Sequence, residues 1–409
     1  MSQHEGAIPV ATTRVPPYAW IILVVVFLAS VAAPLNQFKV PPVMPVLIQA
    51  FSMDIASAGW LMSIFAVTGF ILAIPAGFIL QRFGPKITGL IAVGFVLVGS
   101  VIGAFSSTAA LMLTSRFIEG VGMGLIAVVA PAAIAMWFPA ETRGGPMGIW
   151  ATWVPVGSIV MFNLAPALQG SFGWQSVWWA GAAFALVAFL LYAFLFRMPK
   201  PDEMAGGPPP AGEHAEAGPP PSLGKAMANS SLWLISLEFM CFNVVFLALN
   251  TFYPTFLNTV RNIDLARASF LASLMMIMTI FSAPLGGLIS DRIGSRKKMI
   301  IIPSAIVALG FLLPFHVTGW MIPALMILMG ILIGPVPTAT FAAVPEVMTK
   351  PQLVGIGMAV LALGQNLGMV IGPAIFGPMA ESMGWAVAGY LMIPITAIGI
   401  IAAWLAKVR

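Results

Sequence analysis

Long apolar runs broken by brief polar punctuation dominate this chain. Residues 144–196 contain no Asp, Glu, Lys or Arg, and neither do residues 299–345. A membrane crossing needs about 20 residues, so each stretch holds two spans joined by a tight turn. The first turns near Gly170 to Trp174 and the second near His316 to Trp320. Read through the whole chain, the pattern predicts twelve helical spans, near 18–48, 57–80, 87–106, 109–138, 146–168, 175–197, 230–257, 267–289, 299–316, 320–343, 353–379 and 384–405. Gly and Pro recur inside them, which membrane helices tolerate better than soluble ones.

The polar interruptions give the domain plan. Residues 199–225 hold eight prolines, several glycines and mixed charge. Such a segment buries too little apolar surface to fold and reads as a disordered linker. The expected organisation is a cytoplasmic tail (1–16), a six-helix bundle (17–198), a cytoplasmic linker (199–228), a second six-helix bundle (229–406) and a cytoplasmic end (407–409). The halves also match in register. The run from Asp54 to Leu61 aligns with that from Asp264 to Leu271 at an offset of 210, which carries Gly77 to Gly287, Arg82 to Arg292 and Gly84 to Gly294. Four residues of slippage earlier, the run Leu35 to Lys39 resembles Leu249 to Tyr253. A repeat of this size implies two pseudo-equivalent bundles with a site between them. Asp54 and Asp264 each open a helix and are expected to cap it.

Composition sharpens this picture. Hydrophobic residues make up 60% of the 409 and charged residues 8%, against roughly 25% charged in a soluble domain. The basic balance (pI ≈ 9.6) reflects topology. One side of the predicted spans holds Arg14, Arg82, Lys86, Arg143, Arg197, Lys200, Lys225, Arg292, Arg296, Lys297, Lys298, Lys350, Lys407 and Arg409; the other holds only Arg261 and Arg267. The positive-inside rule then puts both termini in the cytoplasm, as expected of a multi-pass plasma (inner) membrane protein. No basic cluster interleaved with aromatics suggests a nucleic-acid partner. Cys241 is the single cysteine, so no intrachain disulfide forms. The run after Arg14 imitates a signal peptide, but it continues past Pro34 and the repeat requires it as a first helix.

Two loops carry a recognisable motif. Between spans eight and nine lie Gly287, Asp291, Arg292, Gly294, Arg296 and Lys297 in the pattern G-x-x-x-D-R-x-G-x-R-K. Between spans two and three lie Gly77, Gln81, Arg82, Gly84 and Lys86 in the same frame, with Gln for Asp. Span four adds Arg116, Gly120 and Gly122 as R-x-x-x-G-x-G. With the span count and the linker, the chain resembles the major facilitator superfamily over essentially all its length outside tail and linker. The resemblance implies an all-α integral membrane fold of about twelve helices in two pseudo-symmetric bundles, the major facilitator fold. It also implies that Gly77, Arg82, Gly84, Gly287, Asp291, Arg292, Gly294 and Arg296 act as a cytoplasmic gate. Independently, loop glycines admit a close neighbouring helix, and the charges suit helix caps and ion pairs across the interface.

Ionisable groups inside the hydrocarbon are expensive and are therefore functional candidates. Four qualify: Lys39, Arg116, Glu119 and Glu238. Lys39 precedes Pro41, Pro42 and Pro45, which strip backbone hydrogen bonds and break the helix. Asn36 shares its helical face, and the repeat sets Asn250 and Tyr253 opposite, so these four are expected to converge on an anion; the alternative is a lysine snorkelling to the interface. Arg116 and Glu119, one turn apart, suit either a structural pair or coupling. Glu238 suits a proton carrier or an inner-gate acid. Gln365 and Asn366 are further substrate-binding candidates within Gly364 to Pro373, whose glycine spacing also suits close helix packing.

Function follows as an expectation: a secondary transporter working by alternating access, for a small carboxylate-type anion, with proton coupling. The alternatives are proton-driven efflux of amphipathic or cationic compounds and, less in keeping with the residues, a membrane receptor or enzyme. No nucleophile motif, phosphate loop or metal-ligand spacing points to catalysis, and no cofactor is expected. The expected partners are an anionic small molecule, the bilayer and a coupling ion, with the protein a monomer.

Overall fold

The computed structural model describes residues 15–73, 75–139, 142–200, 228–348 and 353–408. The tail (1–16) and linker (199–228) expected from the sequence lie almost wholly outside the described residues, as do Arg14, Lys225, Lys350 and Arg409. The described chain is helical, with no strand. Its membrane elements are α1 (Pro17–Ala50), α2 (Ile55–Leu72), α3 (Pro75–Ala104), α4 (Ala109–Trp137), α5 (Gly144–Phe172) and α6 (Gln175–Leu195) in the first half. The second half holds α7 (Ser230–Thr259), α8 (Leu265–Ile293), α9 (Arg296–Gly310), α10 (Met321–Val347), α11 (Val354–Met383) and α12 (Trp385–Leu405). Eleven of these are long and apolar enough to cross a membrane. The exception is α9, 15 residues long, which starts before the expected 299 because the Ser295 hydroxyl caps the Lys298 N–H.

Local chemistry explains the boundaries. Asp54 accepts the Ser57 N–H in a capping box, and Asp264 accepts the N–H groups of Ala266 and Arg267. Hydrogen bonds from the Ser57 side chain and backbone hold the Asp54 carboxyl below the usual carboxylate range. Gly84 takes φ 70° and Gly294 φ 66°, so both halves bend at the same register on a residue without a Cβ. Two helices meet at that Gly84 kink within α3, so the second crossing runs from α2 into the start of α3. The first helical segment of α1 ends at Gln37, residues 38–40 form a turn, and Pro41–Val43 make a 3-10 turn before Met44–Ala50.

Small residues let the helices approach. A Cβ on Gly120 would meet Phe65 and Thr68 of α2, and one on Gly122 would meet Ala92 and Val96 of α3. In α11, Gly364, Gly368 and Gly372 lie against the carbonyls of Ser236, Met240 and Val244 in α7. The glycine spacing of α11 is thus used for close packing.

The seam between the halves is closed at one end. There the Ala56 N–H at the start of α2 donates to Glu381 Oε2 of α11 at 2.9 Å. Gly59 lies on the Pro373 carbonyl and Gly377 on that of Ile55, while Asn163 of α5 donates to Ser273 Oγ of α8 at 3.3 Å. A continuous apolar core crosses both halves at this Asp54 end. Among the described residues, the hydrogen bonds and close glycine contacts that join the halves all lie between the Asp54 end and the Gly69–Asn366 contact, and none lies toward Gly84. The seam is therefore held at the Asp54 end and open toward the end that carries the two loop motifs.

Candidate functional site

The break in α1 is the chemical centre of the first half. Gln37 cannot receive the usual N–H four residues on, because that residue is Pro41. Arg116 of α4 supplies the missing donors: one terminal nitrogen donates to the Asn36 carbonyl at 2.6 Å and the other to the Gln37 carbonyl at 2.9 Å. Its Nε donates to the Leu61 carbonyl of α2 at 3.0 Å, and its guanidinium lies 4.6 Å from the Phe65 ring centroid. Arg116 is thus a C-cap delivered from another helix, a favourable place for a cation.

Lys39 lies just past that cap. Its ammonium has three hydrogens and uses all of them, on Asn36 Oδ1 (2.8 Å), Ser100 Oγ (2.9 Å) and Glu119 Oε1 (2.6 Å). The Trp178 ring covers it at 4.7 Å to the centroid. Glu119 Oε2 accepts from Arg116, so each carboxylate oxygen faces a cation. Lys39, Arg116, Glu119, Asn36 and Ser100 are all 0% exposed. With both bases and the acid ionised, the cluster carries one excess positive charge.

This placement changes part of the expected site. Lys39 does not snorkel to an interface. Asn36 and Lys39 do sit together, but their polar partners come from α3, α4 and α6 of the same half, and Asn250 and Tyr253 are not among them. Asn250 donates to the Phe246 carbonyl and keeps a buried unpaired Oδ1, while Tyr253 packs against Phe256 and Phe315. The spacing of Asn250 and Tyr253 copies that of Asn36 and Lys39, yet the second half has no counterpart of Glu119 to draw them together. The pairing of Arg116 with Glu119 is present, enlarged by Lys39, Ser100 and Trp178, which sequence reasoning did not connect.

Asn366 lies over Gly69 of α2, which itself touches Gly124 of α4. Gln365 and Asn366, both half-buried, therefore stand where the closed part of the seam gives way to the open part. Glu238 stands apart in α7, 2% exposed, facing Thr340 of α10.

The loop motifs divide by half. Asp291 pairs with Arg296 at 2.5 Å, and Arg296 also reaches Glu346 of α10 at 3.4 Å and Ser290 Oγ at 2.8 Å. Gly287 packs on Thr338 of α10, and Arg292 is exposed. In the first half Arg82 is exposed beside the Phe83 ring, and Gly77 and Gly84 have no neighbour. With this end open, the second-half motif closes on its own bundle. Among the described residues no three His, Cys, Asp or Glu side chains group as metal ligands.

Comparison with known proteins follows the same architecture. The family model for the Major Facilitator Superfamily matches residues 26–269 and 261–409. A probable sulfoacetate transporter of Cupriavidus necator is 24% identical over 284 residues, covering 67% of this chain and 65% of the relative. The chloroplastic ascorbate transporter of Arabidopsis thaliana is 23% identical, covering 73% of this chain and 57% of the relative. The chain thus spans under two thirds of the length of these two relatives. The hexuronate transporter of Bacillus subtilis is 20% identical with 91% and 90% coverage. The same fold occurs in a bacterial homologue of the human lysosomal transporter Spinster, inward-facing and unoccupied: TM-score 0.76, 19% identity, 95% of this chain and 96% of that one.

Proposed function

The chain belongs to the major facilitator superfamily, and from that premise we propose that it carries a small organic anion across the membrane by alternating access. The observation behind this reading is the cluster at the break in α1, where two cations face one carboxylate in a fully buried setting. An uncompensated charge inside the membrane is costly. An anion entering from the open end of the seam offsets that cost, and a neutral molecule does not. Lys39 is fully engaged in this state, so the cluster acts on the anion through its field. Gln365 and Asn366, at the limit of the closed seam, supply the direct polar contacts.

Relatives named for sulfoacetate, ascorbate and hexuronate support the anionic class. The excess of basic residues at the Gly84 end supports placing that end in the cytoplasm, in keeping with a plasma (inner) membrane protein, and on that reading this conformation is inward-open. The loop motifs then form the cytoplasmic gate, which closes in the opposite state. Efflux of an amphipathic cation is less well supported. Glu238, the buried acid with no cation paired to it among the described residues, faces a cavity lined only by second-half residues, away from the seam between the halves.

Uptake into proteoliposomes tests the reading, with radiolabelled glucuronate and sulfoacetate as anions and ethidium as a lipophilic cation, with and without an imposed pH gradient. Uptake of an anion that falls in Lys39→Met and recovers in Lys39→Arg is the expected result. Transport of ethidium without either anion would sink the proposal.

A further inference from the structure

Glu238 is the deep acid that the anion site leaves unused. Its carboxylate meets one side chain, the Thr340 hydroxyl, at 3.2 Å, and among the described residues no cation pairs with it. Beside it, α7, α9, α10 and α12 line a small, partly open cavity, largely with Phe, Val and Ile. The cavity has room for a water beside the acid. Ser304 Oγ, from α9, is buried at the same cavity without a partner. A water in the cavity would offer a partner to both the orphan hydroxyl and the acid.

The hydrogen-bond geometry around Thr340 accommodates both protonation states. Its single hydroxyl hydrogen has two acceptors in reach, the Val336 carbonyl at 2.9 Å and Glu238 Oε2 at 3.2 Å. With Glu238 ionised, the hydrogen turns to the carboxylate. With Glu238 protonated, the acid O–H donates to Thr340 Oγ1 and the hydroxyl turns back to Val336. No heavy atom moves and neither state leaves that pair unsatisfied. Glu119 is the opposite case: a cation holds each of its oxygens.

The groups facing Glu238 from its neighbours are Cys241 on its own helix, Ser304 of α9, Thr340 of α10 and Thr396 of α12; none is charged, and α11 adds no side chain to the cavity. Gly399 of α12 packs on the Glu238 backbone. Such a lining has too few oxygens to replace the hydration shell of a metal cation. It suits a proton.

We infer that Glu238, with Thr340 and a cavity water, is a proton-binding site linked to anion binding. The link rests on the anion reading and on charge. Away from the span ends the chain holds Lys39, Arg116, Glu119 and Glu238. Their sum is zero with Glu238 ionised and one positive with it protonated. Protonation therefore favours the anion, and by reciprocity a bound anion favours the proton. The two travel in the same direction.

Infrared difference spectra of the full chain in nanodiscs, titrated with acid and without substrate, test the site itself. The expected spectrum contains a carboxylic-acid C=O band that grows as pH falls, is lost in Glu238→Gln and shifts in Thr340→Val. A band that survives in Glu238→Gln, or no titrating band in the wild type, overturns the site; a band that ignores Thr340→Val overturns the hydroxyl pairing. Glucuronate uptake tests the link. An inward proton gradient should stimulate it, Glu238→Gln should lose that stimulation, and replacing sodium by choline should change nothing. Sodium-driven uptake, or stimulation that persists in Glu238→Gln, overturns the link. If the wild type moves no anion, the anion reading fails and the link with it, while the infrared result still decides the proton site.

Discussion

Replacing Lys39 by Met removes the excess charge of the buried cluster while leaving its pair intact. Glu119 keeps Arg116, the Ser100 hydroxyl lies 3.1 Å from Asn36 Oδ1 and can donate to it, and the Met side chain fills much of the lysine volume. The fold should therefore survive. The field at the substrate should not. Asn366 stands over Gly69, which packs on Gly124, and Gly124 is two turns along α4 from Arg116. Eight residues at 1.5 Å each put the cluster about 12 Å from that point. One unit charge at that distance in an effective dielectric of about 20 contributes about 1.4 kcal/mol, a tenfold change in affinity. Binding of glucuronate and of its neutral parent sugar to the purified protein, read by scintillation proximity, isolates this effect. Lys39→Met should weaken the anion about tenfold, spare the neutral sugar, and be reversed by Lys39→Arg. A loss of a thousandfold would mean direct contact between Lys39 and the anion. Equal losses for both ligands would refute the field argument.

Three further outcomes test the framework. Glu119→Gln leaves two buried cations without a counter-charge and should cost about 3–5 kcal/mol of stability; thermal unfolding read by a thiol-reactive dye at the buried Cys241 should drop well below that of Lys39→Met, and equal melting would count against the cluster. Glu381→Ala removes a hydrogen bond between the halves worth about 1 kcal/mol, so spin labels at Ser52 and Met383 should report a larger population open at the Asp54 end. Gly372→Leu drives a side chain into the Val244 carbonyl and should abolish a monodisperse product, whereas Gly355→Leu, which faces nothing, should be tolerated.

What was legible in the sequence is what local chemistry encodes. Apolar run lengths set the spans, and the 210-residue offset placed Gly84 and Gly294 at equivalent bends because each backbone there needs the same positive φ. Asp54 and Asp264 declared their helix starts, and the prolines after Lys39 declared the break. The partnership of Lys39 with Glu119 was hidden for a different reason. The two are 80 residues apart, and a helix apolar on every side gives no period to say which face of α4 turns inward. One signal was available: Glu119 is the sole acid deep within the first half, so a buried lysine there had one possible partner. The closed seam is less legible still, because the proposed alternating access requires one sequence to support both closures.

The two halves share a fold and differ in how firmly their deep acids are held. In the first, Arg116 caps the carbonyls freed by the break in α1 and also grips α2, so any rotation of α1 against α4 must break the buried Lys39–Glu119 ion pair and the Arg116 hydrogen bonds to the Asn36 and Gln37 carbonyls. At about 3–5 kcal/mol for the broken pair alone, that bundle is expected to move as a rigid body. In the second, Glu238 meets a hydroxyl that has two acceptors in reach, so gain or loss of a proton there needs no movement of the helices. A rigid half with a fixed positive excess and a second half whose acid can be neutralised locally form a natural division of labour. On the proposed reading, the first sets the sign of the cargo, and the second decides when the interior favours it.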